Sequence, residues 1–500
     1  MPLWQRMAIA ALTGAGAALG QAPWDQTLLM LLLLSIGFLM LRRQKTARHA
    51  GAVGWAFGTG YFALALHWIV EPFQVDAARH AWMAPFALLF LSTGLALFWG
   101  GAFWAARALS PRTWPLILTW TAAEILRAYV FTGFPWASPA QSLIDGPASK
   151  ALALSGPHGA MLWLMCLAWL LSFPAVFRDR PVMRAAQVTA LVCAALLFHL
   201  PLSAPPPALT DHTVRLIQPN AAQHLKWQPG NAELFFRRQL ELTAEAPSDP
   251  DNPPALVIWP ETAIPWTLDR AGPALEQIVQ TTTAPVVLGA LRLDTTGLYN
   301  SLVVLQEDGA PGQVYDKHHL VPFGEYIPLS SLADRLGISG LAANGRGFSA
   351  GPGPGLLDFG PLGQALPLIC YEAVFSRGLF GTPERPDFLL QITNDAWFGQ
   401  GAGPAQHLAQ ARMRAIEQGL PLMRSANTGI SAMIDPRGRI TASLATGIAG
   451  GLDARLPAPG APTLFSRTGN LPVFIVLGAG LAGLILRNLK NRNAAARFRK

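Results

Sequence analysis

Eight long apolar runs constrain this chain more than any other feature. They fall near 7–22, 26–41, 52–70, 83–106, 114–131, 159–176, 185–201 and 471–486, close to the roughly 17 to 25 residues with which a helix crosses a bilayer. Only 13% of the residues are charged and 51% are hydrophobic, where a soluble domain carries roughly 25% charged residues. The expected architecture is therefore a polytopic α-helical membrane domain of about eight spans, seven before residue 204 and one near the end. Arg6 ahead of the first run gives it the look of a cleaved signal peptide, but the six spans behind it favour a retained anchor.

Basic residues in short loops set the orientation of such a domain. One side collects Arg6; Arg42, Arg43, Lys45 and Arg48; Arg107 and Arg112; Arg178, Arg180 and Arg184; and the tail residues Arg487, Lys490, Arg492, Arg497, Arg499 and Lys500. The other side has Arg79 and Lys150. Both termini are expected in the cytoplasm, which leaves residues 204 to about 465 across the membrane. In a bacterium this means a multi-pass protein of the cytoplasmic (inner) membrane whose large segment faces the periplasm. The formal net charge of +8 would suit a nucleic-acid partner, but residues 201–486 hold 18 Lys plus Arg against 23 Asp plus Glu, a balance of −5. The positive excess lies beside the spans, so no nucleic acid is expected as a partner.

After the Pro-rich joint at 201–209 the pattern becomes short β-type runs mixed with helical stretches. Strands are expected at 213–218, 255–261, 285–291, 298–306, 365–372, 388–395 and 430–436, and helices at 231–246, 273–281 and 404–419. Alternation of this kind argues one α/β domain. The expected division is a membrane domain over 1–203, an inserted extracytoplasmic α/β domain over 204–460, and a last span with a basic tail over 461–500.

Three ionisable residues stand at or just past the carboxyl ends of apolar strands: Glu261 in VIWPETAIP, Lys317 in YDKHHLVPFGEYIP and Cys370 in LICYE. Catalytic groups of α/β sheets gather at such ends. Singly, each has a plain alternative: a strand-end cap, a solvated loop charge and a small buried hydrophobe. In combination they make coherent chemistry. A thiol is a poor nucleophile until a base takes its proton, and a carboxylate can be that base. Attack on an ester or amide carbonyl builds an oxyanion, which a fixed ammonium stabilises. The three cysteines give no disulfide framework, and the ten histidines show no metal-ligand spacing, so neither a metal nor a cofactor is expected.

WPETAIP, YDKHHLVPFGEYIP and ICYEAVF resemble, in this order, the three catalytic blocks of the nitrilase superfamily, whose Glu-Lys-Cys triad sits in an α-β-β-α sandwich. With seven spans before that domain and one after it, nearly the whole chain resembles the membrane-embedded apolipoprotein N-acyltransferase family. The resemblance implies Glu261 as general base, Lys317 as oxyanion stabiliser and Cys370 as nucleophile. It further implies that Glu325 orients the lysine, that Trp227 lies near the substrate site, and that Tyr371 and Glu372 hold the turn behind the nucleophile. The implied reaction is ping-pong acyl transfer. A phospholipid acyl donor, phosphatidylethanolamine, loses a fatty acyl chain to Cys370 as a thioester, and the α-amino group of a diacylated apolipoprotein acceptor takes it.

The stretch 394–431 is also similar to the family. There Asn394 and Trp397 are expected to line the pocket, with Arg412 and Glu417 as structural ion-pair members. Glu124 and Arg127, at i, i+3 inside an expected span, are expected to neutralise each other ahead of FTGFPW at 131–136. Residues 326–355, apolar amid Gly and Pro, read either as a mobile lid reaching the outer leaflet or as a long surface loop. Two rival functions use the same residues: a membrane-tethered amidase acting on a small periplasmic amide, and a lipid transporter or scaffold with an inactive enzyme domain.

Overall fold

The computed structural model describes residues 1–172, 189, 207–327 and 347–497. They fall into two compact units: residues within Met1–Ala204, Gly401–Ala409 and Pro462–Lys500 form one, and residues within Pro205–Gln400 and Gln410–Ala461 the other.

The first unit is helical. Its longer helices are Leu3–Ala18, Thr27–Arg42, Ala47–Ala65, Ala84–Leu109, Pro115–Tyr129, Lys150–Leu171 and Leu471–Arg497. Small residues let some of these helices touch backbone to backbone, as bilayer packing favours. A Cβ at Gly14 would lie 1.9 Å from Phe57 O, and one at Gly60 would lie 1.9 Å from Ala11 O. Phe57, Tyr61, Phe62, Trp99, Phe103 and Trp120 interlock as a buried aromatic core. The helix Ala84–Leu109 instead exposes Phe86, Leu89, Phe90, Leu97 and Trp104, an apolar face of the kind that meets lipid.

Among the described residues, three stretches are long and apolar enough to cross a membrane: Ala77–Leu109, Pro147–Leu171 and Leu471–Asn491. Ala47–Ala65 and His67–Gln74, bent by 47° at their junction, add a fourth if taken together. The structure therefore supports several apolar helices and stops short of eight spans. The first expected span is a helix of 16 residues, about 24 Å long at 1.5 Å per residue, against a hydrocarbon core about 30 Å thick. The fifth is cut to 15 residues by a turn in which Phe131 (φ 62°), Thr132 (φ 105°) and Gly133 (φ 88°) all take positive φ. The seventh expected span apart from residue 189, the end of the sixth at 173–176 and most of the lid-like segment lie outside the described residues.

The second unit holds two six-stranded sheets. The strands are β1 Leu209–Gln218, β2 Pro254–Ile258, β3 Val286–Leu293, β4 Leu298–Leu305, β5 Pro311–Asp316, β6 Leu357–Asp358, β7 Gln364–Ile369, β8 Phe388–Thr393, β9 Leu422–Ala426, β10 Ser431–Ile434, β11 Ile440–Leu444 and β12 Gly450–Pro457. One sheet runs β12-β1-β2-β3-β4-β5 and the other β11-β10-β9-β8-β7-β6. The centres are parallel, β1-β2-β3 and β7-β8-β9, and the flanking pairs are antiparallel. Strand alternation distributes the apolar residues. Leu256 and Ile258 of β2 enter a core shared with Leu390, Ile392 and Met433 of the other sheet. Val257, between them, faces Phe236 and Leu275 of the helices Asn231–Ala244 and Gly272–Thr281. All seven strands and three helices expected from the sequence occur within a few residues of their expected ends. Of the five strands that periodicity missed, β5, β6, β11 and β12 are the four sheet edges, and β9 alone is interior.

Candidate active site

Glu261, Lys317 and Cys370 follow β2, β5 and β7, and all three side chains are buried. Cys370 opens a single turn of 3-10 helix, Cys370–Val374, with its backbone at φ 52°. Thr262, next to Glu261, also takes positive φ, 47°. Such conformations cost a non-glycine residue about 1–3 kcal/mol and persist only where the surroundings impose them. Part of the imposition is visible at Gly289 of β3, where a Cβ would lie 2.6 Å from both Glu261 Cα and Thr262 N. Only glycine lets the sheet pass this close beneath the Glu261 turn.

Lys317 Nζ lies 2.8 Å from Glu325 Oε1 and 3.8 Å from Glu261 Oε1. Asn300, in the middle of β4, donates from Nδ2 to Glu261 Oε1 at 2.6 Å and to Glu325 Oε1 at 3.3 Å. The outer oxygens take backbone donors: Asn394 N to Glu261 Oε2 at 2.7 Å and Val321 N to Glu325 Oε2 at 2.8 Å. Both carboxylates are thus fixed in place and share one ammonium. Burial alone would push the Lys317 ammonium down, but Glu325 and Glu261 hold it above the ordinary lysine value. Burial, then the charge of Glu261, push the Cys370 thiol up, against the pull of Lys317. The sulfur therefore rests as a thiol, and its proton needs an acceptor when it attacks.

Glu372 ties the lysine loop to the cysteine turn. Its carboxylate accepts from Ile369 N at 2.8 Å, His318 N at 2.8 Å, His319 N at 3.2 Å and Tyr315 Oη at 3.0 Å. Burial opposes its ionisation, yet the His318 side chain, whose Nδ1 lies 2.8 Å from Oε1, together with the Ile369 and His318 amides, holds it below the usual carboxylate range. Tyr371 packs edge-on against Phe375, with ring centroids 4.9 Å apart, and its ring is buried. Trp227 is half exposed, with Lys226 Nζ 4.9 Å from its ring centroid. Lys226 itself is buried and donates to Thr262 Oγ1 at 3.2 Å. Burial lowers it to about 8, with Glu261 pulling the other way.

The structure thus gathers Glu261, Lys317, Glu325 and Cys370, sets Glu372 behind the cysteine, and leaves Trp227 beside the Glu261 turn through Lys226. Asn394 bonds Glu261 through its backbone, while its side chain is held by Gln223 and Asn427. Glu417 pairs with Arg414 at 2.5 Å, and Arg412 Nε donates to Gly438 O. Sequence reasoning passed over Asn300, Tyr315 and Lys226. For Asn300 a signal existed, since an asparagine inside an apolar strand is disfavoured without a buried partner. No residue group among those described could hold a metal ion.

Residues 213–457 match the carbon-nitrogen hydrolase family and residues 13–202 match the apolipoprotein N-acyltransferase N-terminal domain. The carbon-nitrogen hydrolase match and the two sheets agree on a nitrilase-like fold. Among solved structures, a CN-hydrolase superfamily protein of Xanthomonas campestris is 19% identical and covers 53% of this chain and 96% of its own, with a TM-score of 0.36. Apolipoprotein N-acyltransferases of Rhodopseudomonas palustris and Caulobacter vibrioides are each 36% identical to the chain, the first over 97% of it and 95% of its own length, the second over 99% and 98%. With both parts matched and the similarity running nearly end to end, the chain belongs to the apolipoprotein N-acyltransferase family.

Proposed function

We propose that the protein N-acylates apolipoproteins by a ping-pong reaction on Cys370. Glu261 takes the thiol proton as sulfur attacks the ester carbonyl of a phospholipid, phosphatidylethanolamine. The oxyanion forms against the Lys317 ammonium, which Glu325 and Asn300 hold in place. Collapse breaks the ester C–O bond, and Glu261 returns the proton to the departing lysophospholipid oxygen. The acyl chain is left on sulfur as a thioester. The α-amino group of the diacylglyceryl-cysteine of an apolipoprotein then attacks, Glu261 accepts its proton, the C–S bond breaks, and the thiol is restored. A thioester suits this task, because one site can serve two large lipids in turn.

The observation that carries the reading is the convergence on one buried ammonium of two carboxylates, at 2.8 and 3.8 Å, beside a cysteine held in a strained turn. The membrane-facing apolar helices fit substrates that live in a bilayer, which disfavours a small amide. The proposed topology keeps both termini in the cytoplasm, residues 204–460 in the periplasm, and the basic tail after the last span inside.

Intact mass of the detergent-purified protein after incubation with phosphatidylethanolamine tests the reading. The wild type is expected to gain one hydroxylamine-labile fatty acyl group, which passes to a diacylated lipopeptide, and Cys370→Ala to gain none. Turnover of small amides without an adduct would instead establish the amidase.

A further inference from the structure

Arg424 lies in the middle of β9 with none of its surface exposed. A fully buried guanidinium requires partners for its fork of donors, and its partners lead to Cys370 by two routes. Nη1 donates to Gln391 Oε1 at 2.6 Å, and Gln391 Nε2 donates to the backbone carbonyl of Cys370 at 3.2 Å. Nη2 donates to Asp395 Oδ2 at 2.5 Å; Asp395 Oδ1 accepts from Thr393 Oγ1 at 2.9 Å; and the Thr393 side chain hydrogen-bonds the Cys370 thiol. Nε donates to Ile430 O at 3.1 Å. Gln391, Thr393 and Asp395 are as completely buried as the arginine.

Strand register explains why these groups meet. Gln391 of β8 pairs with Arg424 of β9 and with Leu368 of β7, and Thr393, two residues on, shares the face of Gln391. Asp395 follows Asn394, whose amide hydrogen-bonds Glu261, so one guanidinium bears on both the thiol and the carboxylate beside it. The space is reserved too: a Cβ at Gly429 would lie 2.3 Å from Asp395 Oδ2.

We propose that Arg424 is a positioning residue for acyl transfer, holding the Cys370 carbonyl through Gln391 and the Cys370 thiol through Asp395 and Thr393. Glu372 secures the turn from the side of the lysine loop, and Arg424 secures it from the side of β8 and β9. Two holds from opposite sides account for a cysteine kept in the left-handed region with its sulfur aimed. Aim governs rate, since a displacement of about 1 Å at a reacting atom costs on the order of 10²-fold.

The proposal rests on Cys370 being the nucleophile, and the test separates the two. The rate of thioester formation is measured by intact mass across phosphatidylethanolamine concentrations. Thr393→Val keeps the shape and deletes the hydroxyl. It is expected to slow acylation about tenfold, the size of one buried hydrogen bond, with the half-saturating lipid concentration unchanged. Thr393→Ser is expected to restore the rate to within about twofold. Arg424→Lys keeps the charge and loses the fork, and is expected to slow acylation on the order of 10²-fold. If that variant fails to fold, the threonine pair still decides. Thr393→Val acylating at the wild-type rate, Thr393→Ser as slow as Thr393→Val, or a loss confined to half-saturation would each overturn the proposal. Acylation surviving in Cys370→Ala would overturn the nucleophile assignment beneath it.

Discussion

Glu124 and Arg127 in the helical unit, and Glu261, Glu325 and Lys317 in the two-sheet unit, are both charge clusters taken out of water, and they are balanced differently. In the helical unit one carboxylate meets one guanidinium at 2.6 Å. Trp99 Nε1 donates to Glu124 Oε1 at 2.7 Å, and Arg127 Nη1 donates to the carbonyls of Phe134 and Trp136. The charges cancel, and the spare donors end on nearby backbone. In the two-sheet unit two carboxylates converge on one ammonium, while Asn300 Oδ1 has no partner. Lys226, buried beside the Glu261 turn, is a second cation near these carboxylates, and the cluster stands next to a thiol that keeps its proton. The first cluster is closed on itself, whereas the second stands open to the Cys370 thiol.

Breaking each cluster tests the contrast. Arg127→Met strands Glu124 and is expected to lower stability by about 3–5 kcal/mol, with Arg127→Met combined with Glu124→Leu recovering most of it. Thermal unfolding in detergent reads this, and equal losses in single and double variants would show that the pair is not closed. Lys317→Met leaves the fold's apolar core intact and is expected to slow thioester formation by on the order of 10²–10³-fold, as loss of an oxyanion donor does. An unchanged rate in the mass assay would remove the lysine from the reaction.

Lys226 sharpens the comparison, because it is a cation buried beside the Glu261 turn with a pKa lowered to about 8. Between pH 8 and about 10.5 the unfolded chain binds more protons than the folded one, so stability rises with pH across that window. Lys226→Met is therefore expected to raise stability at pH 7 by up to ~3 kcal/mol, the gain fading to nothing above about pH 10.5. A gain that does not change with pH would contradict the burial of a charged amine. The smallest change is expected in the alkylation of Cys370. Glu261 raises its thiol, so Glu261→Gln is expected to speed iodoacetamide alkylation of Cys370 several-fold at pH 8 while abolishing acyl transfer. Slower alkylation in that variant would reverse the sign assigned to Glu261.

Much of the site was legible because it lies at strand ends. Glu261 and Cys370 each close an apolar run, and an ionisable group in that position announces itself in one dimension; Lys317 instead follows β5, PGQVYD, a mostly exposed edge strand that periodicity missed, and stood out through the block around it. Glu325, Trp227, Tyr371 and Glu372 were legible only through family resemblance, since nothing in their local spacing marks them. Lys226 was not legible at all: it lies in NAAQHLKWQPG, a stretch without periodicity, and its burial depends on contact with Thr262. Arg424 was hidden for a related reason. An arginine in LMRSA argues against a buried strand until Gln391 and Asp395 arrive from β8 and the turn beyond it.

The apolar runs, the switch to alternating strands and helices after residue 209, and the order of three strand-end residues were determined by the sequence alone, because each is set by neighbours along the chain. Span count was less secure, since the tight turn at Phe131 and Gly133 shortens a helix that composition would extend. Tertiary structure decided which carboxylates share Lys317, which side chain supports the cysteine turn from each side, and why Gly289 and Gly429 are glycines. Those depend on how strands distant in sequence come into register, and hydrogen bonds and ion pairs of 2.5–3.8 Å exist only once that register has closed.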